Sequence, residues 1–198
     1  MTGQNLGPIA RRWAVLVGID RYMDWPRLNY CVADVMALEQ VLEACGFESV
    51  VCLHDRQEHE GLLPTKENVE GALLDLRGRV GPNDLVLVHF AGHGMLCEDE
   101  KDGVRKPFLA MRHSRQRFLA RQGWSVEQVE QWMRDSGAKR LFLSLDACHT
   151  GVDMGRGVED DVEFLYYAYD VLPEGLAVLS ASTAQQQAKE MAGLGHGV

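Results

Sequence analysis

No stretch of this 198-residue sequence approaches the ~20 consecutive apolar residues that a membrane-spanning helix needs. Its opening segment, MTGQNLGPIARRW, also lacks the apolar core of a secretory signal. Positive charge is scarce. Lys and Arg number 20 against 29 Asp and Glu, and the formal charge of −9 is the wrong sign for displacing counterions from nucleic-acid phosphates. A disulfide framework is not indicated either, because the 5 cysteines are odd in number and scattered at positions 31, 45, 52, 97 and 148. There is no internal repeat and no low-complexity tract. Together these absences exclude nucleic-acid binding and membrane insertion as expectations, and point to a cytoplasmic protein with reduced thiols.

What is present is ordinary globular composition, 46% apolar and 25% charged, in a chain long enough for one α/β domain with a real core. Five short apolar runs read as strands: RWAVLVGI (12–19), SVVCLH (49–54), DLVLVHF (84–90), RLFLSLD (140–146) and GLAVLSA (175–181). None alternates cleanly, as is expected of strands covered on both faces. Helical patterns lie between them. Cys31, Val35, Leu38, Leu42 and Cys45 step at helical spacing before a stop at Gly46. Thr65 and Ser125 are expected N-caps of two further helices, with buried stripes Val69, Leu73, Leu76 and Val126, Val129, Met133, the second ending at Gly137. Strands alternating with helices of this length predict a mostly parallel sheet with helices on both faces and ligand sites at the carboxyl ends of its strands. Two long connections, 95–123 and 151–174, interrupt the pattern, and connections of that length usually carry function or flexibility.

Chemistry-bearing residues fall at two of those strand ends. DLVLVHF runs into AGHG, which places His93 between glycines, and RLFLSLD runs into ACHTG, which places Cys148 55 residues further on. On neighbouring strands the two suit a thiol–imidazole dyad, in which the ring takes the thiol proton. Backbone N–H groups of Gly94 and Cys148 would then be candidates for an oxyanion hole. His149 beside Cys148 raises zinc as an alternative, but no second Cys/His pair at ligand spacing accompanies it. His89, inside a strand, reads as a core histidine.

LVHFAGHG followed by LFLSLDACHTG resembles the caspase-like cysteine peptidases, on the metacaspase and bacterial caspase-homologue side. The resemblance extends to WAVLVGIDRYMDWPRLNYCVADV and AVLSASTAQQQAKE, and so spans nearly the whole chain. It implies an α/β, three-layer αβα caspase-like fold and a cysteine endopeptidase with His93 and Cys148 as its dyad. It also implies a pocket for a substrate Arg or Lys, formed by Cys31 and Asp34 of the C-x-x-D motif and by Asp146, with Ala91 where many metacaspases carry serine. Two carboxylates favour a guanidinium or ammonium there, since charge-assisted hydrogen bonds are the strong ones. Each acid has a plainer reading, Asp34 as a helix-dipole acid and Asp146 as a turn cap.

No cofactor is expected from the motifs. Calcium, which some metacaspases need, is the alternative to a merely solvated loop for Glu98, Asp99, Glu100 and Asp102, and the family's later aspartate has no clear counterpart unless Asp153 serves. Residues 1–198 read as a single peptidase domain lacking its C-terminal, small-subunit-like part, which leaves room for a regulatory or small-subunit partner beside the protein or peptide substrate. Arg156, between glycines in DMGRGVEDD, is a candidate self-cleavage site. Bacterial defence is the family's expectation for the biological role. The alternative to a peptidase is a non-catalytic caspase-fold binding module within a larger assembly.

Overall fold

β1 (Arg12–Gly18) shows why the apolar runs do not alternate: Trp13, Val15 and Val17 turn to one core and Ala14 and Leu16 to another, so both faces are covered. The computed structural model describes residues 7–148, 176–180, 190–191 and 196–197. β1 pairs in parallel with β2 (Ser49–His54) on one side and with β3 (Leu85–Glu98) on the other. β3 pairs in parallel with β6 (Arg140–Cys148), and β6 with β7 (Leu176–Ser180). One face is packed by α1 (Cys31–Ala44), through Cys31, Val35 and Leu42. The other is packed by α2 (Lys66–Leu76) and α4 (Val126–Asp135), through Val69, Leu73, Leu76, Val126, Val129 and Met133. This is the expected three-layer α/β arrangement around a mostly parallel sheet.

The helix boundaries follow local chemistry. Thr65 accepts from the Asn68 N–H at the start of α2, and Ser125 forms a reciprocal capping box with Gln128 at the start of α4. Gly46 and Gly137 lie at φ 77° and 89° just past their helices, the left-handed region that glycine adopts without penalty. Cys45, expected to close the buried stripe of α1, is instead its exposed C-cap.

The sheet departs from expectation after residue 90. AGHG lies within β3, which is 14 residues long in all and ends only at Glu98. β1 stops at Gly18 opposite Ala91, and from Gly94 onward β3 pairs antiparallel with β4 (Arg105–Leu109), which in turn pairs with the two-residue β5 (Trp124–Ser125). The long 95–123 connection is therefore mostly an antiparallel extension of the sheet, closed by the short helix α3 (Leu119–Gln122). A separate two-stranded pair, β8 (Glu190–Met191) with β9 (His196–Gly197), lies near the end of the chain.

At the amino-terminal edge of the sheet, a buried carboxylate ties three segments together. Asp84 accepts from the Trp13 indole at 3.0 Å, from Gly81 N–H at 2.8 Å and from Arg11 N–H at 3.2 Å, and it pairs with the Arg11 guanidinium at 3.0 Å. Burial pushes this carboxyl up, but the donors from Gly81, Trp13 and Arg11 outweigh that and hold it below the ordinary carboxylate range. A depressed folded-state pKa adds stability that is complete above the unfolded value near ~3.9 and is lost as pH falls through the folded one. Asp84→Ala is therefore expected to cost about 2–3 kcal/mol at neutral pH, read by urea unfolding, because it strands the buried indole N–H. The gap between wild type and variant should narrow below about pH 4, and a gap that stays constant through acid would refute the ionised role.

Candidate active site

His93 sits where the parallel sheet gives way to the antiparallel extension, and its register partner on β6 is Cys148, the last residue of that strand. Because register partners on parallel strands share a face, positions 93 and 148 lie side by side on the α1 side of the sheet, with 91 and 146 one rung below and 89 and 144 a rung below that.

The loop between β1 and α1 builds the surroundings of His93, which is 1% exposed. Where β1 has ended, the Tyr22 hydroxyl accepts the His93 backbone N–H at 2.8 Å, and the His93 carbonyl accepts from Ala110 N–H at 2.8 Å. The imidazole stacks on Trp25, with ring centroids 5.4 Å apart and planes at 20°, and leans against Tyr22 at 4.9 Å. Its Nε2 lies 2.8 Å from the Pro26 carbonyl oxygen. A carbonyl only accepts, so Nε2 carries a proton, and in the neutral ring Nδ1 is the nitrogen that offers a lone pair. Successive N–H groups of a strand point to alternate sides. Those of His93 and Gly94 must diverge, and Gly94 N–H is directed to the side occupied by β6.

The loop is itself anchored. Trp25 donates its indole N–H to Ser114 O at 3.0 Å, and Asp24 accepts from Gln116 N–H at 3.1 Å. Tyr22 is half-buried against the core, and desolvation pushes its phenol well above its usual value and keeps it neutral. The glycine before His93 serves this contact: a Cβ at Gly92 would lie 2.3 Å from the Tyr22 hydroxyl and 3.0 Å from the Phe90 ring.

The expected substrate-pocket residues gather on the same face. Asp34 lies in the first turn of α1, half-buried, and Asp146 is half-buried on β6. Cys31 and Ala91 are buried, and both belong to the core beneath α1. His89 bonds Ser144 Oγ at 2.9 Å, one rung from Asp146. Burial pushes its imidazole down to about 4, against the opposing pull of Asp34, so it is neutral near pH 7. Asp34 is thus close enough to act electrically on the strand pair that carries Asp146.

Three of the four loop acids pair with basic side chains. Asp99 and Asp102 both accept from Lys106, at 3.2 and 2.7 Å, and Glu100 is turned to Arg121. Among the described residues no group of three or more His, Cys, Asp or Glu is placed to hold a metal. Arg156, Asp153 and His149 lie outside the described residues. Sequence reasoning missed Tyr22, Trp25 and Pro26. The only signal was an aromatic-rich loop, DRYMDWP, directly after a strand.

A model of the caspase domain, a peptidase family, matches residues 11–192, and the chain belongs to that family. It is 30% identical over 172 residues to metacaspase-1 of Schizosaccharomyces pombe, an alignment covering 83% of this chain and 38% of that protein. It is 31% identical over 172 residues to metacaspase-1B of Aspergillus terreus, covering 83% of this chain and 43% of that one. The chain thus spans less than half the length of these relatives. A crystal structure of a Geobacter sulfurreducens protein superposes with a TM-score of 0.66 at 18% identity, over 92% of this chain and 77% of that one, a likeness of fold.

The Gly92–Tyr22 contact is open to a double-mutant cycle. Gly92→Ala is expected to destabilise by about 1–3 kcal/mol through overpacking, and Tyr22→Phe by about 1–3 kcal/mol through the stranded His93 N–H. Without the hydroxyl the added methyl meets less, so the double variant should be about 1 kcal/mol more stable than the sum of the single effects. Additive losses would mean that the hydroxyl does not set the need for glycine.

Proposed function

We propose that this chain is a cysteine endopeptidase that cleaves proteins or peptides after Arg or Lys. The observation that carries this reading is the register of β3 and β6, which puts His93 beside Cys148 at the carboxyl edge of the sheet, with the His93 ring held through Nε2. In this mechanism Nδ1 of His93 takes the thiol proton. The Cys148 thiolate attacks the scissile carbonyl, and the oxyanion draws on the N–H groups of Gly94 and Cys148. His93 then returns the proton to the leaving amine, and water hydrolyses the thioester in a second step. A neutral Nε2–H bonded to a carbonyl fixes the tautomer that this needs.

Asp34 and Asp146, half-buried on the face that bears the dyad, receive the cationic substrate side chain. A neutral His89 beneath them adds no competing positive charge. Cys31 and Ala91 form the wall and leave room. A partner supplying the small-subunit-like part, and a cytoplasmic setting, belong to the same reading. Self-cleavage after Arg156 would follow from basic specificity, and incubation of active protein beside its Cys148→Ala variant, with fragment masses read out, should give Cys148-dependent ends at Arg156. Intact chains in both would remove self-processing at that residue.

A fluorogenic peptide with Arg before the scissile bond should be cut by the wild type and not by Cys148→Ala or His93→Ala, and the same peptide with Asp there should be left intact. Asp34→Ala should lower basic-substrate turnover by well over about tenfold, since truncating a partner of a desolvated charge is costly. Iodoacetamide should label Cys148 ahead of the buried Cys52 and the half-buried Cys97, whose thiols desolvation pushes up to about 12. Full activity in Cys148→Ala would remove Cys148 as the nucleophile, and no cleavage by the wild type would leave the binding-module reading in its place.

A further inference from the structure

We propose that Asp55 and Arg56, just past the end of β2, are positioning residues for His93, acting through the β1–α1 loop rather than on substrate. The inference rests on His93 being the base of the reading above. Asp55 is 8% exposed, and its Oδ2 accepts from the backbone N–H of Asp20 at 2.8 Å and of Arg21 as well. These are the two residues immediately before Tyr22, so one carboxylate fixes the direction in which the loop leaves β1. Asp20, 1% exposed, carries the connection onward in two directions. Its Oδ1 accepts from Val32 N–H at 3.3 Å in the first turn of α1, and its Oδ2 pairs with the Arg56 guanidinium at 2.8 Å. Its carbonyl also accepts from Leu28 N–H at 2.9 Å, which closes the loop on itself. Everything that holds His93 from this side lies between those two anchors: the Tyr22 hydroxyl on its N–H, Trp25 on its ring and the Pro26 carbonyl on Nε2.

The charge arrangement explains why both Asp55 and Arg56 are needed. Asp20 and Asp55 are buried side by side, and Asp20 is pushed above its ordinary value by burial and by the Asp55 charge, with Val32 N–H and Arg56 opposing. Without the guanidinium the two acids would repel across the loop they are meant to fix. Two segments distant in sequence, the residues just past β2 and those just past β1, thereby set the tautomer and angle of a ring that neither touches. An imidazole displaced by about an ångström forfeits one to two orders of magnitude in rate.

The test compares Asp55→Ala, Asp55→Asn and Arg56→Ala with Asp84→Ala, a buried acid at the opposite edge of the sheet. Imidazole nitrogen NMR shifts report the His93 tautomer, and peptide hydrolysis gives kcat and KM. Asp55→Ala is expected to replace a fixed Nε2–H tautomer by an averaged one and to lower kcat about tenfold to a hundredfold with KM little changed. Asp55→Asn keeps an acceptor oxygen and should restore both. Arg56→Ala, which removes a half-exposed side chain, should shift the tautomer in the same direction to a smaller extent. Asp84→Ala should lose stability and leave the His93 shifts as in wild type. An unchanged His93 tautomer in Asp55→Ala, or an equal change in Asp84→Ala, overturns the proposal. Because the tautomer is read without substrate, a protein that shows the Asp55 dependence but cuts no peptide overturns the peptidase reading alone.

Discussion

Everything at the candidate site depends on β3 outrunning β1. A parallel strand that stopped with its neighbour would leave its carboxyl end open to solvent. Here β1 ends at Gly18 opposite Ala91 and β3 continues to Glu98. The backbone N–H of His93 therefore needs a partner that no strand supplies, since a buried amide left unpaired costs about 1–3 kcal/mol. The Tyr22 hydroxyl meets that need, and Gly92 makes room for it. A sheet-completion problem and a ring-positioning problem are solved by the same loop.

The two edges of the sheet use buried acid differently. At the amino edge Asp84 meets four donors, so its charged form is favoured and it locks β1 to the turn before β3. At the carboxyl edge Asp20 is pushed up by its own burial, and Asp55 Oδ1 is buried with no hydrogen-bond partner among the described residues. Groups held in unfavourable electrostatic company are commoner where geometry serves chemistry than where it serves stability. The asymmetry matches the general placement of sites at the carboxyl ends of parallel strands.

The parallel strands were legible in the sequence because they are buried on both faces and read as apolar runs, and the helices because Thr65 and Ser125 are chemically unambiguous caps. His93 and Cys148 could be paired from their positions after two such runs. The extension of β3 was not legible: the apolar run ends at Phe90, yet the strand continues and Gly92 serves a close approach from Tyr22, a tertiary demand with no local signature. β4 was hidden for a related reason, since RKPFL opens with two charges and a proline, a start tolerable where only the first residue of the strand is exposed. Cys45 fits the period of α1 but falls beyond the part of the helix that the sheet covers, so periodicity alone overextended the stripe. The residues around the His93 ring come from a loop folded across the sheet, and no spacing rule reaches them.

That division between what periodicity encodes and what tertiary contact encodes bears on how such a site is maintained. Strand register fixes the positions of 93 and 148 through backbone pairing from Leu85↔Arg140 to His93↔Cys148, which is insensitive to the identity of any one side chain. The orientation of the imidazole is set separately, by one carbonyl, one indole and one phenol from a single irregular loop. Position is thus distributed over many weak interactions, while orientation is concentrated in a few. Proton transfer is steep in angle and distance. The sheet can therefore absorb substitution without losing the alignment of the two residues, whereas the loop cannot, and the anchoring of its first residues by a second strand's carboxylate follows from that imbalance.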